Sequence, residues 1–112
     1  MTAAEKNIEK ATKQLEGLGE KVNSALLEKI VKGLGIANQS VDASLVSATD
    51  PDELDRVKTG FLTKKLGLTD DAAKTKALDT VMAKLKGINQ KSRGTVYYLL
   101  AVNLGKESVF LK

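Results

Sequence analysis

Thr69-Asp70-Asp71-Ala72-Ala73-Lys74-Thr75-Lys76-Ala77-Leu78-Asp79-Thr80-Val81-Met82-Ala83-Lys84-Leu85-Lys86-Gly87 decides the fold class. Thr69 stands where a helix N-cap belongs, and Asp70 and Asp71 fill a first turn whose exposed amides favour negative charge. Ala73, Ala77, Leu78, Val81, Met82 and Leu85 then recur at spacings of three and four until Gly87 stops the run. The pattern predicts an α-helix with one apolar stripe. Just upstream, Asp50-Pro51-Asp52-Glu53 combines an N-cap, a proline at the first helical position and acids at the positive end of the dipole. That helix carries Leu54, Val57, Phe61 and Leu62 inward, and Gly67 closes it with Leu68 placed over the last turn. Gly60 interrupts it at a cost of about 1 kcal/mol relative to alanine, for which either close packing of a neighbouring helix or plain tolerance must account.

The same signals extend outward in both directions. Downstream, Ser92 caps a helix that turns Val96, Leu99, Leu100 and Leu104 inward and ends at Gly105. Upstream, Asn23 caps a helix with Leu26, Leu27, Ile30, Val31 and Leu34 on one broad face, stopped by Gly33 and Gly35, and Val22 with Leu27 has the spacing of a hydrophobic staple. The first helix begins at Thr2 with a Thr-x-x-Glu capping box to Glu5 and ends at Gly17 and Gly19. Its stripe of Ile8, Ala11, Leu15 and Leu18 is narrow and flanked by polar residues, so a peripheral helix is expected. Between the second and third helices, residues 36–49 read as a connector with one helical turn, opened by Asp42 and carrying Leu45 and Val46. No strand competes with these periods. The fold expected is all-α, a compact single-domain bundle of about five helices with a short helical turn in the loop before the third. It spans residues 1–112, with a peripheral helix at 1–19 and the core at 22–110.

Composition agrees and excludes several functions. At 112 residues, 42% hydrophobic and 29% charged, the chain suits one domain with enough apolar material to fold alone. It has no cysteine, which removes disulfides and thiolate chemistry, and no histidine, which removes the usual neutral-pH proton carrier and the commonest metal ligand. No catalytic residue, metal or cofactor is assigned. The N-terminal residues lack the apolar core of a secretory signal, and no apolar run approaches the ~20 residues of a membrane-spanning helix, so a cytoplasmic protein with no membrane partner is expected. The net charge of +4 comes from dispersed lysines interleaved with acids and specifies no partner.

Four local motifs have simpler readings. The acids Asp50, Asp52, Glu53 and Asp55 lack the spacing of a calcium loop, which needs an oxygen ligand where Leu54 stands and a glycine at Asp55, so helix capping accounts for them. Gly17 with Gly19, and Gly33 with Gly35, lack the strand and third glycine of a dinucleotide-binding turn and read as helix ends. Asn38-Gln39-Ser40 matches a glycosylation sequon in a chain with no export signal. Two features carry more. Thr80 to Lys106 contains Lys84, Lys86, Lys91, Arg93 and Lys106 and no acid, so Lys84, Lys86, Lys91 and Arg93 are candidate contacts to an anion or nucleic acid. Tyr97 and Tyr98 point about 100° apart on a helix, so that one, taken as Tyr98, is expected to be partly exposed and able to stack on a base. The helix that follows is too apolar for a recognition helix, which favours a solvated basic face. At the other end, Val109, Phe110 and Leu111 are candidate partner contacts unless they fold back on the core.

Leu26-Leu27-Glu28-Lys29-Ile30-Val31-Lys32-Gly33-Leu34-Gly35, Asp42-Ala43-Ser44-Leu45-Val46, Asp50-Pro51 with Glu53-Leu54 and Val57-Lys58, Phe61-Leu62, Lys64-Lys65-Leu66-Gly67-Leu68, Tyr97-Tyr98-Leu99-Leu100 and Gly105-Lys106-Glu107-Ser108-Val109-Phe110 occur in matching order over Val22 to Phe110. In these stretches the chain resembles a family of short bacterial all-helical proteins catalogued as a domain of unknown function. The resemblance implies the helical fold and no activity, cofactor or site residue. The chain departs from it at Ile36 to Val41, where an aromatic is usual, and at Gly94, where alanine is usual. The leading functional expectation is a non-enzymatic protein-interaction or structural module of a bacterial cytoplasm, with an unknown protein partner or self-association. The alternatives are weak nucleic-acid binding through the Lys84 to Arg93 segment and an enzyme built only from carboxylates and lysines.

Overall fold

Most helix ends fall where caps and glycines place them. The computed structural model describes residues 3–33, 45–46, 51–88 and 91–111. In chain order these form α1 (Ala3–Gly17), α2 (Ser24–Gly33), β1 (Leu45–Val46), α3 (Pro51–Arg56), a π-helix (Val57–Lys65), α4 (Asp71–Lys84), β2 (Lys91–Ser92), α5 (Arg93–Asn103) and α6 (Ser108–Leu111). Because α3 runs without a break into the π-helix, the described residues contain five long helical rods and the short α6. This is the expected all-α bundle. The Cα radius of gyration, 12.7 Å, is that of one body of this length.

The bundle is organised around α5. Residues 94–101 are all buried, so this helix is enclosed on every side rather than along one stripe. α1, α2 and α4 pack against it. They contribute Ala11 and Leu15, then Leu26, Leu27, Ile30 and Val31, then Ala77, Leu78 and Val81. Asn23 caps α2 as expected, its side-chain oxygen accepting from the Leu26 amide at 3.2 Å.

The third rod widens as it enters the core. Leu66 N–H donates to the Phe61 carbonyl at 3.0 Å, and the Thr63 hydroxyl to the Lys58 carbonyl at 2.9 Å, both across five residues. A five-residue repeat stacks Val57 over Leu62 and Phe61 over Leu66, and all four are buried. The rod ends at Gly67, whose φ of 72° is the left-handed conformation; Gly67 N–H reaches Thr63 and Leu68 N–H reaches Leu62. The first is the bond of an αL cap, and the second spans one residue more than a Schellman bond, as the widened last turn requires. Gly60, by contrast, faces open space, so close packing is not its explanation. The close approach occurs at Gly94, where a Cβ would lie 3.3 Å from both Ala11 Cβ and Val31 Cγ2.

Three expectations are corrected. First, α1 is not peripheral. Ala11 and Leu15 are fully buried, and Gln14, which reads in sequence as a polar flank, turns inward. Its Oε1 accepts from the Ser92 amide at 3.0 Å and the Thr95 hydroxyl at 2.8 Å, so two groups of buried residues are satisfied and α1 is tied to the start of α5. Second, Leu45 and Val46 do not form a helical turn. They pair antiparallel with β2, Leu45 opposite Ser92 and Val46 opposite Lys91, because the extended residues before α5 need backbone partners that a helix cannot supply. Third, the cap of α4 is Asp70 rather than Thr69, its carboxylate accepting from the Ala72 amide at 3.0 Å. Ser92 does occupy the N-cap position of α5, but its side chain makes no capping bond. The expectations for Thr2, Gly35, Asp42 and Asp50 lie outside the described residues.

Leu15→Ala should lower unfolding free energy by about 2–5 kcal/mol in urea titrations; a loss below about 0.5 kcal/mol would return α1 to the periphery. Gly60→Ala should raise stability by about 0.5–1 kcal/mol. Gly67→Ala, at a positive φ, should lower it by about 1–2 kcal/mol in the same assay.

Candidate functional site

The acid-free segment does not become an acid-free surface. Lys84, in the last turn of α4, forms an ion pair with Glu20, which the end of α1 brings alongside it. Lys86 is exposed. Lys91 is only 9% exposed, and its ammonium donates to the Ile88 carbonyl at 2.7 Å. Arg93 is half-buried; its guanidinium donates to the Tyr97 hydroxyl at 3.0 Å and lies 5.8 Å from the centre of that ring. Tyr98 is 3% exposed, correcting the expectation that it projects toward a base. Its hydroxyl accepts from the Asn23 amide at 2.9 Å and donates to the Lys21 carbonyl at 3.3 Å. Both tyrosines are buried because α5 is covered all round, a fact that their 100° separation does not contain. Lys91 and Tyr98 therefore fix the fold locally and are withdrawn from any partner.

The C-terminal residues take a different course. Phe110, on α6, packs against the core with its ring 6.0 Å from Phe61 and tilted by 12°. Phe61 in turn lies 4.2 Å from Tyr97 at 10°. α6 packs on α2. The fold-back reading of the tail thus holds for Phe110, while Val109 stays exposed; the Leu111 side chain lies outside the description.

A groove of about 750 Å³ opens where α6 meets α2. Ala25, Val109 and Phe110 give it an apolar floor, and Lys29 and Lys32 of α2 and Lys65 at the end of the π-helix stand around it with Glu28. Sequence reasoning found Val109 and Phe110 and missed the rest. Ala25, Lys29 and Lys32 lie on the solvent face of an amphipathic helix, and Lys65 ends a different rod, so no spacing in the chain links them. Their convergence is tertiary.

Charge in the groove is unbalanced. The Lys32 ammonium is 2.6 Å from the Glu28 carboxylate, one turn earlier on α2. That hydrogen bond, then the Lys32 charge itself and, after slight opposition from desolvation, the Lys29 charge, hold the Glu28 carboxyl below its ordinary range. Among the described residues Lys29 and Lys65 form no ion pair. Three lysines thus face a single glutamate, and that glutamate is engaged. No three carboxylates converge on a metal-sized site among the described residues, and no helix there is long and apolar enough to cross a membrane.

A family model described as "Protein of unknown function (DUF2853)" matches residues 8–108. The chain belongs to this family. The match begins inside α1, at Ile8, and so includes most of a helix that the sequence resemblance had left outside Val22 to Phe110. The burial of Ala11 and Leu15 accords with this, since the core of this chain is incomplete without them. No curated protein matches the chain.

Tyr98→Phe should cost about 1–2 kcal/mol in urea unfolding, because the Asn23 amide and the Lys21 carbonyl both lose their partner. The Glu28 shift fixes a second outcome. A lowered folded-state pKa means that the Glu28 pairing is present above the ordinary carboxylate value and is lost as pH falls through the lowered one. A carboxyl-carbon NMR titration should therefore place the Glu28 midpoint below those of model glutamates, and Lys32→Met should raise it.

Proposed function

We propose that this protein is a non-enzymatic protein-interaction module whose contact surface is the groove between α2 and α6. The observation that supports it is the exposed Val109 beside the half-buried Phe110, on a floor ringed by lysines. Hydrophobic centre and charged rim is the composition of a contact surface rather than of a reaction centre. With neither histidine nor cysteine in the chain, proton transfer at neutral pH and thiolate attack have no ordinary agent. A nucleic-acid role for Lys84, Lys86, Lys91, Arg93 and Tyr98 draws less support, because Lys91 and Tyr98 are buried and Lys84 is paired with Glu20.

A photo-crosslinking amino acid placed at Val109, and in a control chain at the exposed Asp79, tests the module in cells. Discrete adducts are expected from position 109 and not from position 79. The same adducts from both positions, or none from 109, would overturn the proposal.

A further inference from the structure

The groove holds two chemistries side by side, and its occupant must answer both. On the apolar side, Phe110 cannot sink further inward, because its ring already rests on Phe61 and Phe61 on Tyr97. The floor is therefore backed by a packed aromatic column and keeps its shape without a ligand. On the polar side, Lys29 and Lys32 lie three residues apart on α2, within one turn and on neighbouring faces. Lys65 approaches from the π-helix. Because Glu28 is held by Lys32, no other described residue of the groove neutralises the surplus positive charge.

We infer that the groove of Ala25, Lys29, Lys32, Lys65, Val109 and Phe110 binds an acidic amphipathic segment of a partner protein. This rests on the interaction-module reading. An apolar side chain of the partner sits over Val109 and Phe110, and carboxylates three or four residues away on the same helical face meet Lys29 and Lys65. Apolar anchors at helical spacing are how a peptide helix enters a groove, and opposite potentials across the contact set its orientation and speed its association. A phosphate chain uses the lysines but leaves Ala25 and Val109 in water. An uncharged apolar helix uses the floor but leaves the lysines with nothing to face. The groove, about 750 Å³ and open to solvent, leaves room for the partner's apolar side chain.

The test uses the full chain and three labelled synthetic helical peptides of one apolar pattern, with glutamate, glutamine or lysine at the positions flanking the anchor, read by fluorescence anisotropy. The glutamate peptide should bind about tenfold or more tighter than the glutamine peptide at low salt, and lose that advantage as salt rises past about 0.3 M. Lys29→Glu with Lys65→Glu should weaken the glutamate peptide about tenfold and restore binding of the lysine peptide. Val109→Asp should weaken both the glutamate and glutamine peptides. Circular dichroism confirms that each exposed-site variant is folded. Equal binding of the glutamate and glutamine peptides, insensitive to the lysine reversals, overturns the acidic partner and leaves the module standing. A labelled single-stranded oligonucleotide that binds more tightly than any peptide, and loses binding in the Lys29/Lys65 double variant, overturns it in favour of a phosphate ligand. Failure of all three peptides to bind overturns the inference and removes the groove from the module.

Discussion

The packing of this protein depends on the burial of residues 94–101 of α5. Eight consecutive residues, Gly94 to Ala101, are buried, and a helix with no solvent-facing stripe must be enclosed by its neighbours. α1, α2 and α4 close around it, and the π-helix meets it through Phe61 on Tyr97. Gly94 is the tightest point. With no Cβ there, α5 begins between Ala11 of α1 and Val31 of α2, and the Gln14 side-chain oxygen then takes up the Ser92 amide and the Thr95 hydroxyl. The Ser92 amide and the Thr95 hydroxyl are thus satisfied by a helix that lies almost the whole chain away in sequence.

The need to cover α5 also decides the fate of the charged and aromatic residues around it. Lys91 and Arg93 are cations that a helix N-terminus does not favour. They bond instead to the Ile88 carbonyl and to the Tyr97 hydroxyl and ring. Three of the four aromatic residues, Tyr97, Phe61 and Phe110, stack in one column that links α5, the π-helix and α6. The π-helical widening is what lets Phe61 and Leu66 share a face with Val57 and Leu62. The groove is a consequence of this column. α6 must lie against α2 to bring Phe110 onto Phe61, and doing so leaves Val109 exposed among lysines whose positions were set by α2 and the π-helix.

Much of the fold is legible in short-range chemistry. Asn23, Pro51, Gly67 and Gly105 act where their types predict, since a cap or a left-handed turn depends only on residues within one turn of it. The site is far less legible. Val109 and Phe110 draw attention as bulky apolar residues near the end of the chain. Lys29, Lys32 and Lys65 are indistinguishable in sequence from any other solvated lysine. The acid-free run from Thr80 to Lys106 misleads for the converse reason: an acid absent from a segment returns from elsewhere, here as Glu20 on Lys84.

By itself, then, the sequence determined that the chain is helical, where most of its long helices start and stop, and that histidine and cysteine chemistry are closed to it. These depend on composition and on contacts three to six residues apart. Only the tertiary structure decided that α1 is part of the core, that Leu45 and Val46 pair as a strand, that Tyr98 is buried, and that lysines from two rods meet at one apolar floor. Each of these pairs residues far apart in the chain. What brings such residues together is the area they jointly remove from water, a quantity carried by the packed helices rather than by any one stretch of sequence.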